Sequence, residues 1–141
     1  MLVRLLYASR TAQPMTPEMV DGILNHSRKH NPERGITGVL AYTGDVFIQV
    51  LEGGRGPVNN LYNKIAQDPR HDQVTILSYE EMQERKFSGW TMGQVNLSKL
   101  NQSMLLKYSE RPALDPFSIS GTVTLALLHE LIDCAAIGRT G

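Results

Sequence analysis

The sequence has a single cysteine, no excess charge of either sign and no long hydrophobic segment. Cys134 therefore has no partner for an intrachain disulfide, and a multi-cysteine zinc site is excluded. Fourteen basic residues balance fourteen acidic ones, so net charge does not favour nonspecific binding to nucleic acid or to an anionic membrane. No segment approaches the ~18 apolar residues of a membrane span, and the apolar N-terminus is too short for a signal peptide. We expect a cytoplasmic protein.

What is present indicates one compact globular unit. Apolar residues make up 41% and charged residues 20% of 141 residues, close to the averages for soluble domains. Residues 2–9 are apolar on both faces of a predicted strand, which is typical of a central strand. Thr16 and Pro17 predict a helix start, with Thr16 as N-cap and Pro17 in the first turn. We expect this helix to run to about His30 and to end at Asn31-Pro32.

The rest of the first two thirds predicts a hairpin, a second helix and two more strands. The hairpin strands are residues 38–42 and 46–52, and the second helix follows a turn at residues 53–57. Residues 73–82 and 90–95 are the remaining predicted strands. The order βαββαββ indicates an α+β, ferredoxin-like sheet with two helices on one face.

The last third is predicted to be helical. A first tail helix begins near Asn96 and is broken at Arg111-Pro112. A second begins near Pro116 and has an apolar stripe, in which Cys134 is expected to be a buried, inert thiol. We expect these two helices to cover the other face of the sheet. The division is then 1–95 for the core and 96–141 for a C-terminal helical extension.

Several short motifs together resemble one family, the blue-light-using-flavin (BLUF) domains. Tyr7 and Ser9, on the first strand, occupy the positions of that family's flavin-side Tyr and Ser. The resemblance covers roughly residues 1–95. Each motif alone is weak evidence, but their combination in this order and spacing is specific. The other motif residues are Asn31, Gly35-Ile36-Thr37-Gly38, residues 47–53, Arg70-His71 and Trp90-Thr91-Met92.

The resemblance implies a photoreceptor that binds FAD noncovalently, with FMN or riboflavin as substitutes. Tyr7 would donate an electron and a proton, and Gln49 would exchange hydrogen bonds, since its amide both donates and accepts. Trp90 and Met92, which share a face of the last predicted strand, complete the light-sensitive set. The expected cofactor-binding residues are Tyr7, Ser9, Ile23, Ser27, Lys29, Asn31, Gln49, Leu61, Ile65, Arg70 and His71.

Neither a catalytic residue nor a metal site is expected. His26 and His30 have metal-ligand spacing on one helix, but no third ligand is evident. Residues 53–56 lack the lysine and hydroxyl of a phosphate loop, so a plain turn is expected. Output would pass to a separate downstream protein or to a second copy of the chain, with no direct nucleic-acid or membrane partner. The alternatives are an acylphosphatase-type hydrolase on the same fold and a colourless ligand-binding regulatory domain.

Overall fold

The computed structural model describes residues 1–100 and 102–133. The core elements follow the predicted order βαββαββ, and the ferredoxin-like α+β fold is confirmed. In chain order the elements are β1 (Leu2–Thr11), α1 (Pro17–Arg34), β2 (Thr37–Tyr42), β3 (Val46–Gly54), α2 (Arg55–Gln67), β4 (His71–Met82), β5 (Gly93–Asn96), a 3₁₀ turn (Leu97–Lys99), α3 (Gln102–Tyr108) and α4 (Gly121–Asp133).

One five-stranded sheet, in the order β4-β1-β3-β2-β5, organises the molecule. The pairs β1–β3, β1–β4 and β2–β3 are antiparallel, and the pair β2–β5 is parallel. Strands β1 and β3 are therefore internal, which explains why both of their faces are apolar. In this register Tyr7 of β1 lies directly opposite Gln49 of β3.

Each face of the sheet is covered by two helices, as predicted. On what we call the pocket face, α1 and α2 pack on odd-numbered residues of β1 such as Leu5 and Tyr7. On what we call the tail face, α3 and α4 pack on even-numbered residues such as Leu6 and Ala8. Strand alternation therefore divides the apolar core into two separate clusters.

The first helix continues past the predicted stop at Asn31-Pro32. Pro32 lies inside the last turn, and α1 ends at Arg34 because Gly35 adopts a left-handed conformation with φ 66°. The Ile36 amide donates to the Asn31 carbonyl at 3.0 Å, which closes the helix in the manner of a Schellman motif. The glycine, and not the proline, was the stop signal.

The prediction of a strand over residues 90–95 was also wrong at its start. Strand β5 begins at Gly93, paired with Val39. Trp90 and Met92 precede it and do not share a face, since Trp90 packs with the tail-face cluster and Met92 with the pocket-face cluster. The backbone before β5 is not part of the regular strand ladder. It is fixed instead by a hydrogen bond from the Gly38 amide to the Trp90 carbonyl at 3.1 Å.

The remaining boundaries shift by a few residues. Helix α2 starts at Arg55, within the segment predicted as a turn, and the last helix starts at Gly121 instead of near Pro116. The first tail helix is divided into the 3₁₀ turn and α3. The prediction for Cys134 lies outside the described residues. Within those residues, no helix is long and apolar enough to cross a membrane.

Candidate functional site

A cleft of about 220 Å³ lies between α1 and α2, with the pocket face of the sheet as its floor. Side chains from both helices form its walls, and the predicted residues Ile23 and Ser27 on α1 and Leu61 and Ile65 on α2 are among them. The other lining residues are Tyr7, His26, Arg34, Leu40, Phe47, Gln49, Lys64, Asp68, Arg70 and His71.

Two predicted residues meet on the floor of this cleft. The Tyr7 hydroxyl donates a hydrogen bond of 2.5 Å to Oε1 of Gln49. Both side chains are buried, with 1% of Tyr7 and 4% of Gln49 exposed. Burial raises the pKa of the Tyr7 phenol well above its usual range, because an anion is poorly solvated there. Tyr7 is therefore a neutral donor, and the Gln49 carbonyl is its acceptor.

The other end of the Gln49 amide contacts Met92. Nε2 of Gln49 donates to Sδ of Met92 at 3.5 Å, and Met92 is fully buried. A thioether sulfur is a weak acceptor, so one amide group of Gln49 has a strong partner and the other a weak one. The NH₂ end is therefore the more weakly held end of the Gln49 amide.

Asn31 lies beside the same segment. It is 2% exposed, and its Nδ2 donates to the Thr91 carbonyl at 3.4 Å. Asn31 lies in the last part of α1, and the residue whose carbonyl it contacts, Thr91, directly precedes Met92. Its side chain ties α1 to residues 90–92 on the floor side of the cleft.

Ser9 and His71 form a second polar pair on the pocket face. Ser9 Oγ lies 2.7 Å from Nδ1 of His71, and the His71 ring lies 4.7 Å from that of Phe47. Burial lowers the pKa of His71, which favours a neutral imidazole. Ser9 itself is fully buried and reaches the cleft through His71.

His71 lies just beyond the second of two irregularities in the β1–β4 register, which fall between Leu6/Tyr7 and Ala8/Arg10. Ala8 pairs with Thr75 but Arg10 pairs with Asp72, so two steps along β1 match three along β4. This extra residue reverses the alternation of side chains relative to Thr75 and Ile76, and so restores the parity of the pairing before the first irregularity. Gln73, inside the bulge, has φ 51°, a conformation that a non-glycine residue adopts only at a cost.

Cationic side chains line the cleft near its two helices. Arg34 and Lys64 are there, and neither was predicted. Arg70 was predicted, and it is oriented by Asp68, whose Oδ2 accepts from Nη2 at 2.7 Å. That bond lowers the pKa of the Asp68 carboxyl. Lys29, a predicted cofactor contact, is exposed on α1 and outside the cleft lining.

A signal for the two missed cations was present in the sequence. Lys64 lies between Leu61 and Ile65 at helical spacing, and Arg34 continues the line of Ser27 and Asn31. Arg34 was overlooked because α1 was expected to end before it.

The described residues contain no group of three or more metal-ligating side chains placed to hold an ion. His26 and His30 do lie close, with ring centroids 4.3 Å apart, but they form a pair only. The donor set of the cleft instead matches a flat heteroaromatic molecule with an anionic extension. Apolar walls accept the ring, amide groups at the floor can bond to a polar ring edge, and cations can hold phosphate.

Comparison with known proteins agrees with this geometry. Residues 2–93 match the BLUF family model, described as sensors of blue-light using FAD. Photoactivated adenylate cyclase subunit beta of Euglena gracilis is 38% identical over 92 residues, 64% of this chain. The antirepressor BluF of Escherichia coli K12, described as blue light- and temperature-regulated, is 30% identical over 87 residues, 62% of this chain. The chain spans only 11% of the first relative and 22% of the second.

Solved structures are similar over nearly the whole chain. The structure "BlsA photo-activated state" has a TM-score of 0.84 and 30% identity, covering 100% of this chain and 99% of that one. The structure "BlrB - a BLUF protein, dark state structure" has a TM-score of 0.77 and 31% identity, covering 95% and 96%. The similarity therefore includes the two tail helices.

Proposed function

Because this chain belongs to the BLUF family of flavin-binding blue-light sensors, we propose that it senses light through a Tyr7–Gln49 pair beneath FAD bound noncovalently in the cleft. The observation that carries the proposal is the 2.5 Å hydrogen bond from Tyr7 to Gln49. That bond joins a phenol to an amide that can reverse its donor and acceptor groups.

The residues support a reversible switch. Bound flavin supplies the absorption of blue light and an excited state that takes up an electron. Tyr7 would pass that electron and its phenolic proton to the flavin; the phenol carries this proton because burial favours the neutral form. Gln49 then exchanges its bonds to Tyr7 and Met92. Tyr7 recovers its electron and proton, so no net chemistry occurs and the change reverses in the dark.

The cleft residues divide into three groups by what they offer FAD. Ile23, Leu61 and Ile65 provide apolar walls. Gln49 provides an amide group for the polar edge of the ring, and we propose that Asn31, which is outside the cleft lining but bonded to Thr91 beside it, provides a second. We assign the phosphates to the cations that line the cleft, namely Arg34, Lys64 and Arg70, in addition to the predicted His71. FMN and riboflavin carry the same ring and would be accepted by the same walls.

The output of the switch is proposed to pass through the helical extension, residues 96–141, to a separate partner or to a second copy of the chain. Of the two relatives described above, one is named as a cyclase subunit and the other as an antirepressor, so the matched segment occurs in proteins with different outputs. We propose that the core, residues 1–95, senses light and has no catalytic residue of its own.

Absorption spectroscopy of the purified protein tests the proposal. We expect a yellow protein whose flavin spectrum shifts reversibly to longer wavelength under blue light. A colourless preparation that also fails to take up added FAD would exclude the proposed function. In that case, acylphosphatase assays and ligand screening would separate the hydrolase from the regulatory-domain alternative.

A further inference from the structure

A buried carboxylate lies on the tail face, outside the cleft. Glu52 follows Gln49 by three residues in β3 and is fully buried. Its oxygens accept from Nε of Arg4 at 2.8 Å and from the amides of Lys86 at 3.0 Å and Phe87 at 2.7 Å. A buried charge is costly unless it is paired and hydrogen-bonded, and these three donors satisfy that requirement.

The two amides belong to the β4–β5 segment, residues 83–92, which carries Trp90 and Met92. The Trp90 amide donates to the Phe87 carbonyl at 3.0 Å, so Phe87 and Trp90 are the two ends of one turn. Glu52 therefore holds the start of the turn that places Trp90.

This turn lies on the tail face. Phe87 is 2% exposed, and its ring centroid lies 6.2 Å from that of Trp90 and 5.9 Å from that of His129 in α4. Met92, two residues after Trp90, packs on the pocket face against Gln49. The β4–β5 segment thus passes from α4 to the floor of the cleft, and its position depends on where the turn is held.

We propose that Glu52 is a positioning residue of the light switch: its carboxylate holds the β4–β5 segment so that Met92, and not Trp90, contacts Gln49. This inference rests on the proposed function of Gln49. Bonds from amides to a charged acceptor are stronger than bonds between neutral groups. Both bonds join the segment to the strand that carries Gln49, so any shift of the turn relative to β3 breaks them. They therefore stabilise the packing of the segment in which Met92 contacts Gln49 over any packing with a displaced turn.

A Glu52→Gln substitution removes this hold selectively. The glutamine has nearly the same volume, but one acceptor oxygen becomes an NH₂ group, which cannot accept from an amide. Arg4 does not lose its partner, because its Nη1 also donates to Glu80 at 2.7 Å. Glu80→Gln is the matched control, since it removes the other carboxylate bound to Arg4 and leaves the bonds to Lys86 and Phe87 intact.

The emission of Trp90 reports the position of the segment, because it is the only tryptophan in the sequence. In the dark, flavin-bound protein, Glu52→Gln should increase the population with a displaced segment roughly tenfold, the loss expected for a bond to a charged acceptor. Acrylamide quenching of Trp90 should change accordingly. Glu80→Gln should match the parent, and Glu52→Asp, which keeps an acceptor-only group, should lie between them.

Quenching that is identical in Glu52→Gln and the parent would overturn the proposal. If Glu52→Gln does not fold, as judged by circular dichroism, hydrogen exchange in the parent decides: Lys86 and Phe87 amides that exchange as fast as an unstructured peptide would equally overturn it. A parent that binds flavin without a light-induced shift would count against the proposed function alone, because Trp90 quenching is measured in the dark.

Discussion

The pocket face and the tail face are formed by alternate residues of the same strands. They differ in the number and the surroundings of their buried polar residues. On the pocket side the buried polar residues are Ser9, Ser27, Asn31 and Gln49. On the tail side they are Glu52 and Thr124. Glu52 is held by three donors and Thr124 by its own helix, so both of these buried polar side chains are hydrogen-bonded within the packed core.

The pocket face is built differently, since its polar groups line or support a cleft. A buried amide is retained only where it is hydrogen-bonded, and Gln49 meets that requirement with one strong and one weak partner. The comparison shows how a period of two allows one strand to serve a packed core and a ligand site at once. Substitutions on the two faces should therefore have separable effects.

The largest effect is expected at the floor of the cleft. Tyr7→Phe and Gln49→Leu each keep most of the side-chain volume, so the packing loss should be modest. Each removes one member of the 2.5 Å hydrogen bond, and each should leave flavin bound while abolishing the red-shifted state. Difference absorption spectra before and after blue light measure this. If either variant cycles like the parent, the pair is not the switch.

The tail face should show the opposite separation. Leu128 is 1% exposed, and Leu128→Ala should lower the free energy of unfolding by about 2–5 kcal/mol while the light-induced shift of the folded protein remains. Leu106→Ala is the control, because Leu106 is 51% exposed on α3 and should change stability by less than about 0.5 kcal/mol. Urea denaturation measures both. A lost spectral shift in folded Leu128→Ala protein would show that the faces are not separable.

The element order could be predicted because it depends on local patterns. Alternation placed Gln49 on an apolar face, but its association with Tyr7, 42 residues away, came from the family resemblance. The end of α1 was misjudged because Pro32 is a strong local signal, whereas the effect of Gly35 depends on φ 66°, which only the folded backbone shows.

Two other features depend on contacts distant in sequence. The separation of Trp90 and Met92 onto opposite faces follows from bonds to Gly38 and Asn31, about 50 to 60 residues away. The hydrogen bonds from the amides of Lys86 and Phe87 to the Glu52 carboxylate join residues that are 34 and 35 positions apart. No period within a strand or helix encodes such bonds, so sequence patterns could not predict them.

A smaller effect than those of Tyr7 and Leu128 is expected for Asn31→Ala. The buried Asn31 amide is proposed to bond to the ring edge of the flavin, and it donates to Thr91. Its loss should weaken flavin binding by about tenfold, as for one hydrogen bond in a buried site. Titration of the apoprotein with FAD measures this. Asn25→Ala, at an exposed position of the same helix, should bind FAD like the parent; equal affinities for all three proteins would contradict the assignment.

The smallest effect is a pH dependence that His71 gives to the pocket face. Burial lowers the pKa of His71 below its unfolded value of about 6.5. The folded chain thus binds the proton less readily than the unfolded chain, so the free energy of unfolding should fall as pH drops below about 6.5 and level off below the folded pKa. Urea midpoints across this range, at fixed flavin concentration, measure the slope. His71→Gln should flatten it more than His26→Gln, because His26 is exposed; an unchanged slope in His71→Gln would place the titrating group elsewhere.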